Sequence, residues 1–215
     1  MRYLFGLVVA VFFCVSVQAQ NSSISANEDS ASQSPRNWAF SVVADGYFVP
    51  HSSFFVSPVV TADRKRLHLE ARYNYEDQQT GSLWIGYNFN VGRNLVLEAT
   101  PMIGAVVGKT AGIAPGYAVS LTYKRLSLSS SGEFVFDARH RSESFFYSWP
   151  QLAYSVTDWM RLGLAAQRTK AYQTELDIQR GVFIGLSYKK VEFTGYVFNF
   201  GWTEPTVVLE AAFSF

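Results

Sequence analysis

The chain ends on Thr206-Val-Val-Leu-Glu-Ala-Ala-Phe-Ser-Phe215, a stretch in which residue character alternates. Every second residue from Val207 to Phe215 falls on one face, and that face carries only apolar groups. The opposite face carries Glu210 and Ser214. Strict alternation of this kind predicts a β-strand with one apolar face. A terminal phenylalanine is unusual for a soluble domain, because chain termini generally fray into solvent.

This closing stretch resembles the last strand of bacterial outer-membrane β-barrel proteins, in which the alternation ends on an aromatic carboxyl terminus. Phe213 and Phe215 carry the resemblance. In that class the final strand holds the signal that the barrel assembly machinery recognises during biogenesis. The resemblance therefore implies that these two residues form the barrel-closing signal. It also implies that the assembly machinery and outer-membrane lipid are partners of the chain.

The composition agrees with a barrel and argues against other classes of protein. The 215 residues are 48% hydrophobic, 16% aromatic and 16% charged. Beyond the first residues, no apolar run approaches the roughly 18 residues that a membrane helix needs. Aromatic-rich alternating segments are what a transmembrane barrel requires, because only alternate residues face lipid. With 18 Lys and Arg against 17 Asp and Glu, no charge excess points to nucleic acid as a partner.

Residues 1–19 have the organisation of a secretory signal peptide. Arg2 supplies the positive start, residues 3–17 the apolar run, and Val17-Gln18-Ala19 a small-residue site after which we expect cleavage. The single cysteine, Cys14, lies in this leader, so the mature chain needs no disulfide. Residues 20–37 are rich in Ser, Asn and Gln and are expected to form a flexible periplasmic segment, or alternatively a plug in the lumen. The barrel then spans 38–215.

From Trp38 onward the chain shows successive short strands separated by turn signals. The clearest strand is Leu67–Glu76, whose odd-numbered residues through Tyr75 are apolar and whose even-numbered residues are polar. Twelve strands result if Phe54–Thr61 is a strand, and ten if it is a loop and another segment merges. Short connections alternate with longer, more polar ones, as in barrels with both termini in the periplasm. The sequence thus predicts an all-β, closed, antiparallel, up-and-down transmembrane barrel.

Aromatic residues crowd near the predicted strand ends. In a barrel such residues form two girdles at the membrane interfaces, with the ring in lipid and the polar edge among headgroups. The predicted girdle residues are Trp38, Phe48, Phe54, Tyr73, Tyr75, Tyr123, Phe145, Phe146, Tyr147, Trp149, Tyr154, Trp159, Tyr172, Tyr188 and Trp202.

The predicted inner face carries most of the charge. Acidic residues there are Glu70, Glu76, Glu98, Glu133, Asp137, Glu192 and Glu210, and basic residues are His68, Arg72, Lys124 and Arg161. Charges inside a narrow lumen must be paired or hydrated. One hypothesis is a narrow passive channel for small polar solutes or ions with a mild cation preference, because carboxylates attract cations. The alternative is a closed structural or surface barrel whose lumen is filled by ion pairs.

Two arginines depart from the outer-face pattern. Arg168 and Arg180 fall on the lipid-facing parity near one rim, so either a bulge turns them inward or they contact lipid phosphates. Basic residues also mark the short turns and are expected against phosphates of the inner leaflet. These turn residues are Arg64, Lys65, Arg66, Lys124, Arg125, Lys189 and Lys190.

Signals for chemistry are weak. His51, His68 and His140 lie on different segments without metal-ligand spacing, and we expect neither a metal nor a cofactor. The loop Asp137–Ser144 contains His, Ser and acidic residues, so a third hypothesis is an outer-membrane lipid hydrolase. A solvated polar loop explains the same residues more simply, and oligomeric state is not encoded in any motif.

Overall fold

The computed structural model describes residues 38–168, 178–201 and 204–215. It contains thirteen strand segments and one short 3-10 turn, Arg141–Glu143, in this part of the chain. The strands are β1 (Ala39–Phe48), β2 (Phe55–Arg64), β3 (Leu67–Tyr73), β4 (Thr80–Tyr87), β5 (Phe89–Val91), β6 (Leu95–Gly108), β7 (Gly112–Tyr123), β8 (Leu126–Asp137), β9 (Phe145–Ser155), β10 (Met160–Gln167), β11 (Gln179–Tyr188), β12 (Val191–Phe198) and β13 (Thr206–Ser214). Among the described residues we find no helix with the length and apolar character to cross a membrane.

The strands form one closed antiparallel sheet. Each strand pairs with its neighbours along the chain, and β1 pairs with β13 to close the ring. β4 and β5 both pair with β6 and are separated only by Asn88, so together they make one strand of the wall. The barrel therefore has twelve strands, as predicted, and the uncertain segment Phe54–Thr61 corresponds to β2, which begins at Phe55 and continues to Arg64.

The closing strand has the two faces that its alternation predicts. Leu209 and Phe213 point outward and are 53% and 43% exposed, whereas Val208 points inward and is fully buried. Phe215 extends the seam, because its N–H donates to Phe40 O and the Phe40 N–H donates to Phe215 O, both at 2.9 Å. Their rings stack at 5.7 Å on the outer surface. The aromatic carboxyl terminus thus seals the last edge of the sheet.

The two rims differ in their connections. One rim, here called the turn-side rim, has two-residue turns at Lys65-Arg66, Lys124-Arg125 and Lys189-Lys190, and the three first lysines have φ of 57°, 53° and 55°. Such left-handed residues give the twist that a two-residue hairpin requires. Trp38 and Phe215 lie at this rim too. The opposite, loop-side rim has longer connections, among them residues 49–54, 74–79 and 138–144.

Some predicted placements are wrong. β3 ends at Tyr73 rather than Glu76, because Asn74 has φ of 55° and turns the chain into the barrel. Four predicted girdle residues lie inside: Tyr75, Phe145, Tyr147 and Trp149. Apolar residues occur on both parities of β9 there, since Phe146 and Pro150 flank Ser148 on the outward parity, so alternation does not distinguish its faces. Tyr172 and Trp202, the predicted leader 1–19 and the predicted periplasmic segment 20–37 lie outside the described residues.

Candidate functional site

The inward-facing side chains divide the barrel interior into two halves. The loop-side half is lined by Tyr47, Val106, Val135, Tyr147, Trp149, Tyr196, Phe198 and Val208, all of which are buried. The turn-side half is lined by Ser41, Thr61, Glu98, Arg161, Ser187, Glu192, Ala212 and Ser214, which are partly or fully exposed. Every long strand contributes to both halves, so the same wall encloses a packed interior at one end and a wet one at the other.

An aromatic layer fills the loop-side half. Trp149 on β9 contacts Tyr196 and Phe198 on β12, with ring centroids 5.3 Å and 5.9 Å apart. β9 and β12 are separated in the sheet by β10 and β11, so these rings meet across the lumen rather than along the wall. Tyr196 and Phe198 have no exposed surface. The layer therefore packs the interior between β9 and β12.

A charged cluster centred on Arg72 lies in the same half. Its Nε donates to Glu70 at 2.6 Å, and one terminal nitrogen donates to Glu133 at 2.5 Å. Glu133 is on β8, four steps around the barrel from β3, so this ion pair also crosses the lumen. The guanidinium lies over the Trp84 ring at 4.3 Å and over the Tyr75 ring at 4.4 Å. Arg72 thus joins three parts of the wall through charge and π contacts.

Residues 74–79, here called the inward segment, fold into the barrel instead of continuing β3. The Tyr75 ring contacts the Tyr147 ring at 5.0 Å. Glu76 is fully buried and accepts hydrogen bonds from the Ser82 hydroxyl and, at 3.2 Å, from the Trp84 indole. Asp77 accepts from Thr110 at 3.0 Å and from Lys109 at 3.3 Å. The segment is therefore anchored to β4, to β9 and to the connection after β6.

The sequence contains only a weak signal for the inward segment. Its residues Asn74, Glu76 and Asp77 are polar and precede Thr80-Gly81, which is compatible with a turn. Alternation continues through Tyr75 and Glu76, and this continuation favoured a longer strand. A left-handed asparagine at position 74 and a left-handed glutamine at position 79 define the actual turn.

The turn-side half, here called the vestibule, is open, and a cavity of about 670 Å³ lies on its side formed by β1, β2, β11, β12 and β13. Its inward lining includes Ser41, Thr61, Asp63, Ser187, Glu192 and Ser214. The Ser41 and Thr61 hydroxyl oxygens are 2.7 Å apart, and Arg161 Nε donates to Glu192 at 2.7 Å. The Arg161 and Glu192 side chains retain 29% and 31% exposure, so this ion pair is hydrated.

The predicted lumen charges fall into both halves. Glu70, Arg72, Glu133 and Glu210 point inward in the middle and loop-side part, and Glu98, Arg161 and Glu192 point into the vestibule. Lys124 was counted both with the inner face and with the short turns, and it occupies an exposed tight turn with its Nζ 5.2 Å from the Tyr123 ring centroid.

Acidic side chains dominate the interior of the described chain. Inward acids are Asp45, Asp63, Glu70, Glu76, Asp77, Glu98, Glu133, Asp137, Glu192 and Glu210, and inward bases are His68, Arg72 and Arg161. Asp45 was missed from the sequence although it shares parity with Tyr47. It lies directly opposite Glu210 in the β1–β13 register, which places two carboxylates side by side.

Histidines do not form a shared site. His51 contacts Glu204 at 2.9 Å at the loop-side rim, and His68 lies between Asp63 at 2.8 Å and Glu70 at 3.1 Å inside the barrel. Within the described ranges no group of three or more His, Cys, Asp or Glu side chains could hold a metal ion.

The loop considered for lipid hydrolysis is organised around its own backbone. The Asp137 carboxylate accepts the backbone N–H groups of Arg139 at 2.8 Å and His140 at 2.7 Å. The Ser144 hydroxyl accepts the Asp137 N–H at 3.1 Å. The acid and this serine thus stabilise a loop, and neither contact orients the His140 ring as a general base.

Comparisons with known proteins concern the fold. No family model matches the chain, and no curated protein matches its sequence. A solved structure described as the KdgM porin in complex with disordered oligogalacturonate is similar, with a TM-score of 0.56 at 11% identity. The match covers 82% of this chain and 99% of that one. The chain therefore has the fold of an outer-membrane β-barrel, and this architecture fits the bacterial outer membrane.

Proposed function

We propose that the protein is a narrow, passive, porin-like channel for small polar solutes or ions. The observation that carries this proposal is the wet vestibule, which contains a cavity of about 670 Å³ and opens from the turn-side rim into the interior of a twelve-strand barrel. A barrel with a purely structural role would gain stability from a fully packed interior. A polar cavity lined by hydroxyl and carboxylate groups instead suits the passage of hydrated solutes.

The packed half sets the size of the solute. Trp149, Tyr196 and Phe198 meet across the lumen, and the inward segment adds Tyr75 to the same region. Because these side chains pack against one another inside the barrel, we infer that conduction requires the inward segment to move aside. Ions and small polar molecules then pass, whereas large oligomers do not fit.

The charge of the interior favours cationic or neutral solutes. The KdgM porin was solved with oligogalacturonate, a polyanion by its chemistry. In this chain Glu98 and Glu192 both face the vestibule, and Arg161 pairs with Glu192, whereas Glu98 contacts the Ser120 hydroxyl. Carboxylates that line a pore repel anions and concentrate cations. An acidic oligosaccharide is therefore a poor candidate solute here.

Planar-bilayer recordings of the purified, folded full chain test the channel. We expect stepwise, cation-selective conductance. Glu98→Gln should lower the cation-over-anion permeability ratio, because it removes a vestibule charge whose contact with the Ser120 hydroxyl glutamine can retain. Glu143→Gln, in the loop-side connection, is the matched control and should leave the ratio unchanged. An absence of conductance in both the wild type and a folded Tyr75→Ala variant would favour the closed barrel instead.

We also propose that both termini lie in the periplasm. Short turns share a rim with Trp38 and Phe215, as in bacterial barrels with short periplasmic turns and longer outer loops. The single cysteine lies in the leader, so an introduced thiol is a clean probe. In intact cells a membrane-impermeant thiol reagent should label Glu143→Cys and spare Lys189→Cys. The reverse labelling pattern would invert the topology.

A further inference from the structure

The outer wall carries an apolar crevice of about 520 Å³ across β8 to β12. Leu128, Leu152, Leu164, Val182 and Phe200 line it. Leu164, Val182 and Phe200 are 58%, 54% and 78% exposed. The crevice forms because the outward positions between these side chains are taken by the smaller Pro150 and Ala166. Its volume lies within the range of roughly 300–1,000 Å³ that is usual for small-molecule sites.

Arg180 lies at the loop-side end of this crevice and is one of its lining residues. It is opposite Ala166 in the β10–β11 register and is exposed on the outer face. Its inward neighbour Gln179 receives a hydrogen bond from Gln167 at 2.9 Å, and this inward pair fixes the outward direction of position 180. The backbone of Arg180 is held by Asn199, whose N–H donates to Arg180 O at 2.7 Å.

Arg168 lies on the same outer face, two residues beyond Ala166. The backbone of Arg168 pairs with Ser148, with N–O distances of 2.9 Å and 3.1 Å, so its position at the rim is fixed. Residues at such diagonal positions on neighbouring strands are about 7–8 Å apart. The bulge that would have turned the two arginines inward is therefore not observed. Arg180 is exposed where the apolar wall meets the loop-side rim, and Arg168 has the same outward parity but is half-buried, with its Nε covered.

The combination of charge and apolar surface specifies the occupant. Among the described residues neither arginine forms an ion pair with an acidic side chain. Guanidinium groups bind phosphate oxygens with paired, charge-assisted hydrogen bonds. An apolar crevice directly beside such a group suits an acyl chain. One molecule that carries both parts is a membrane lipid with an anionic phosphate headgroup.

We propose that this crevice is a binding site for a single phosphate-bearing lipid. The headgroup contacts Arg180, with Arg168 adjacent, and one acyl chain lies along Leu164 and Val182. The site is on the outside of the barrel and does not depend on whether the lumen conducts.

Native mass spectrometry of the full chain in detergent, titrated with phosphatidic acid or phosphatidylcholine, tests the site. We expect one retained phosphatidic acid per barrel, and roughly tenfold weaker retention in Arg180→Gln, because a charge-assisted contact is lost. Ala166→Phe should weaken retention similarly by filling the crevice. Arg93→Gln, in an exposed turn at the opposite rim, is the matched control and should retain lipid as the wild type does. Folded mobility in electrophoresis shows that each variant still forms a barrel.

Three results would overturn the proposal. Equal retention by wild type, Arg180→Gln and Ala166→Phe would mean that the lipid binds elsewhere. If Arg180→Gln lost lipid retention and Ala166→Phe did not, the headgroup would contact Arg180 but the acyl chain would not occupy the crevice. A dimer peak that disappears in Ala166→Phe would show that a second copy of the barrel covers the crevice instead.

Discussion

The two halves of the interior share one wall and differ in what fills it. In the loop-side half Tyr196 and Phe198 have no exposed surface, whereas in the turn-side half Arg161 and Glu192 retain about a third. Each strand keeps the same antiparallel neighbours in both halves, as β11, β12 and β13 do. The wall is therefore the same in both halves, and the free space inside it is set by the inward side chains and by the inward segment.

Removing Arg72 should produce the largest effect. Arg72→Ala leaves Glu70 and Glu133 buried without their counter-charge, and breaking a buried ion pair costs about 3–5 kcal/mol. Arg161→Ala is the matched change in the vestibule, where hydration reduces the expected loss to about 1 kcal/mol or less. Urea unfolding in lipid vesicles measures both free energies. Equal losses would show that the two halves do not differ in hydration.

Truncating a side chain of the aromatic layer should produce the second-largest effect. Phe198→Ala removes a fully buried ring that contacts Trp149, and the cavity should lower the free energy of unfolding by about 3 kcal/mol. Ser187→Ala in the vestibule should change it by less than about 0.5 kcal/mol. In bilayer recordings Phe198→Ala should also raise conductance if solutes cross this layer. An unchanged conductance in the folded variant would place the passage elsewhere.

Adding one methyl group at Gly104 tests how tightly the Trp84 ring, which contacts the inward segment, is packed. A Cβ at Gly104 would lie 2.4 Å from the Trp84 ring, which stacks on Arg72 and donates to Glu76. Gly104→Ala should therefore destabilise the barrel by about 1–3 kcal/mol. Gly195→Ala is the control, because its Cβ would meet only Leu209 at 3.8 Å. If Gly104→Ala were as well tolerated as the control, the Trp84 ring would be free to shift.

The smallest effect is expected at the boundary between the halves. Asp45 and Glu210 face each other across β1 and β13, and like charges directly opposite in a sheet are destabilising. Asp45→Asn should raise the free energy of unfolding by about 0.2–1 kcal/mol at neutral pH. A destabilisation of similar size would instead mean that the Asp45 carboxylate accepts a hydrogen bond that the amide does not replace.

Alternation predicts the walls well and the interior poorly. β13 and the twelve-strand count follow from residues that are apolar on one parity and polar on the other. The same rule fails at Tyr75, because a left-handed Asn74 redirects the chain into the barrel. It also fails at Phe145, Tyr147 and Trp149, because apolar residues occur on both parities of this strand. In both cases the deciding contact is made with a residue far away in sequence, such as Tyr147 with Tyr75.

The sequence by itself determined a closed barrel, because each strand's period of two and each turn's residues act locally. It also determined that Arg168 and Arg180 share the outward parity. Only the tertiary structure decided that half of the lumen is packed, because rings from β9 and β12 and charges from β3 and β8 meet across the barrel. Distances across a lumen depend on how twelve strands curve together, and no local pattern encodes that curvature.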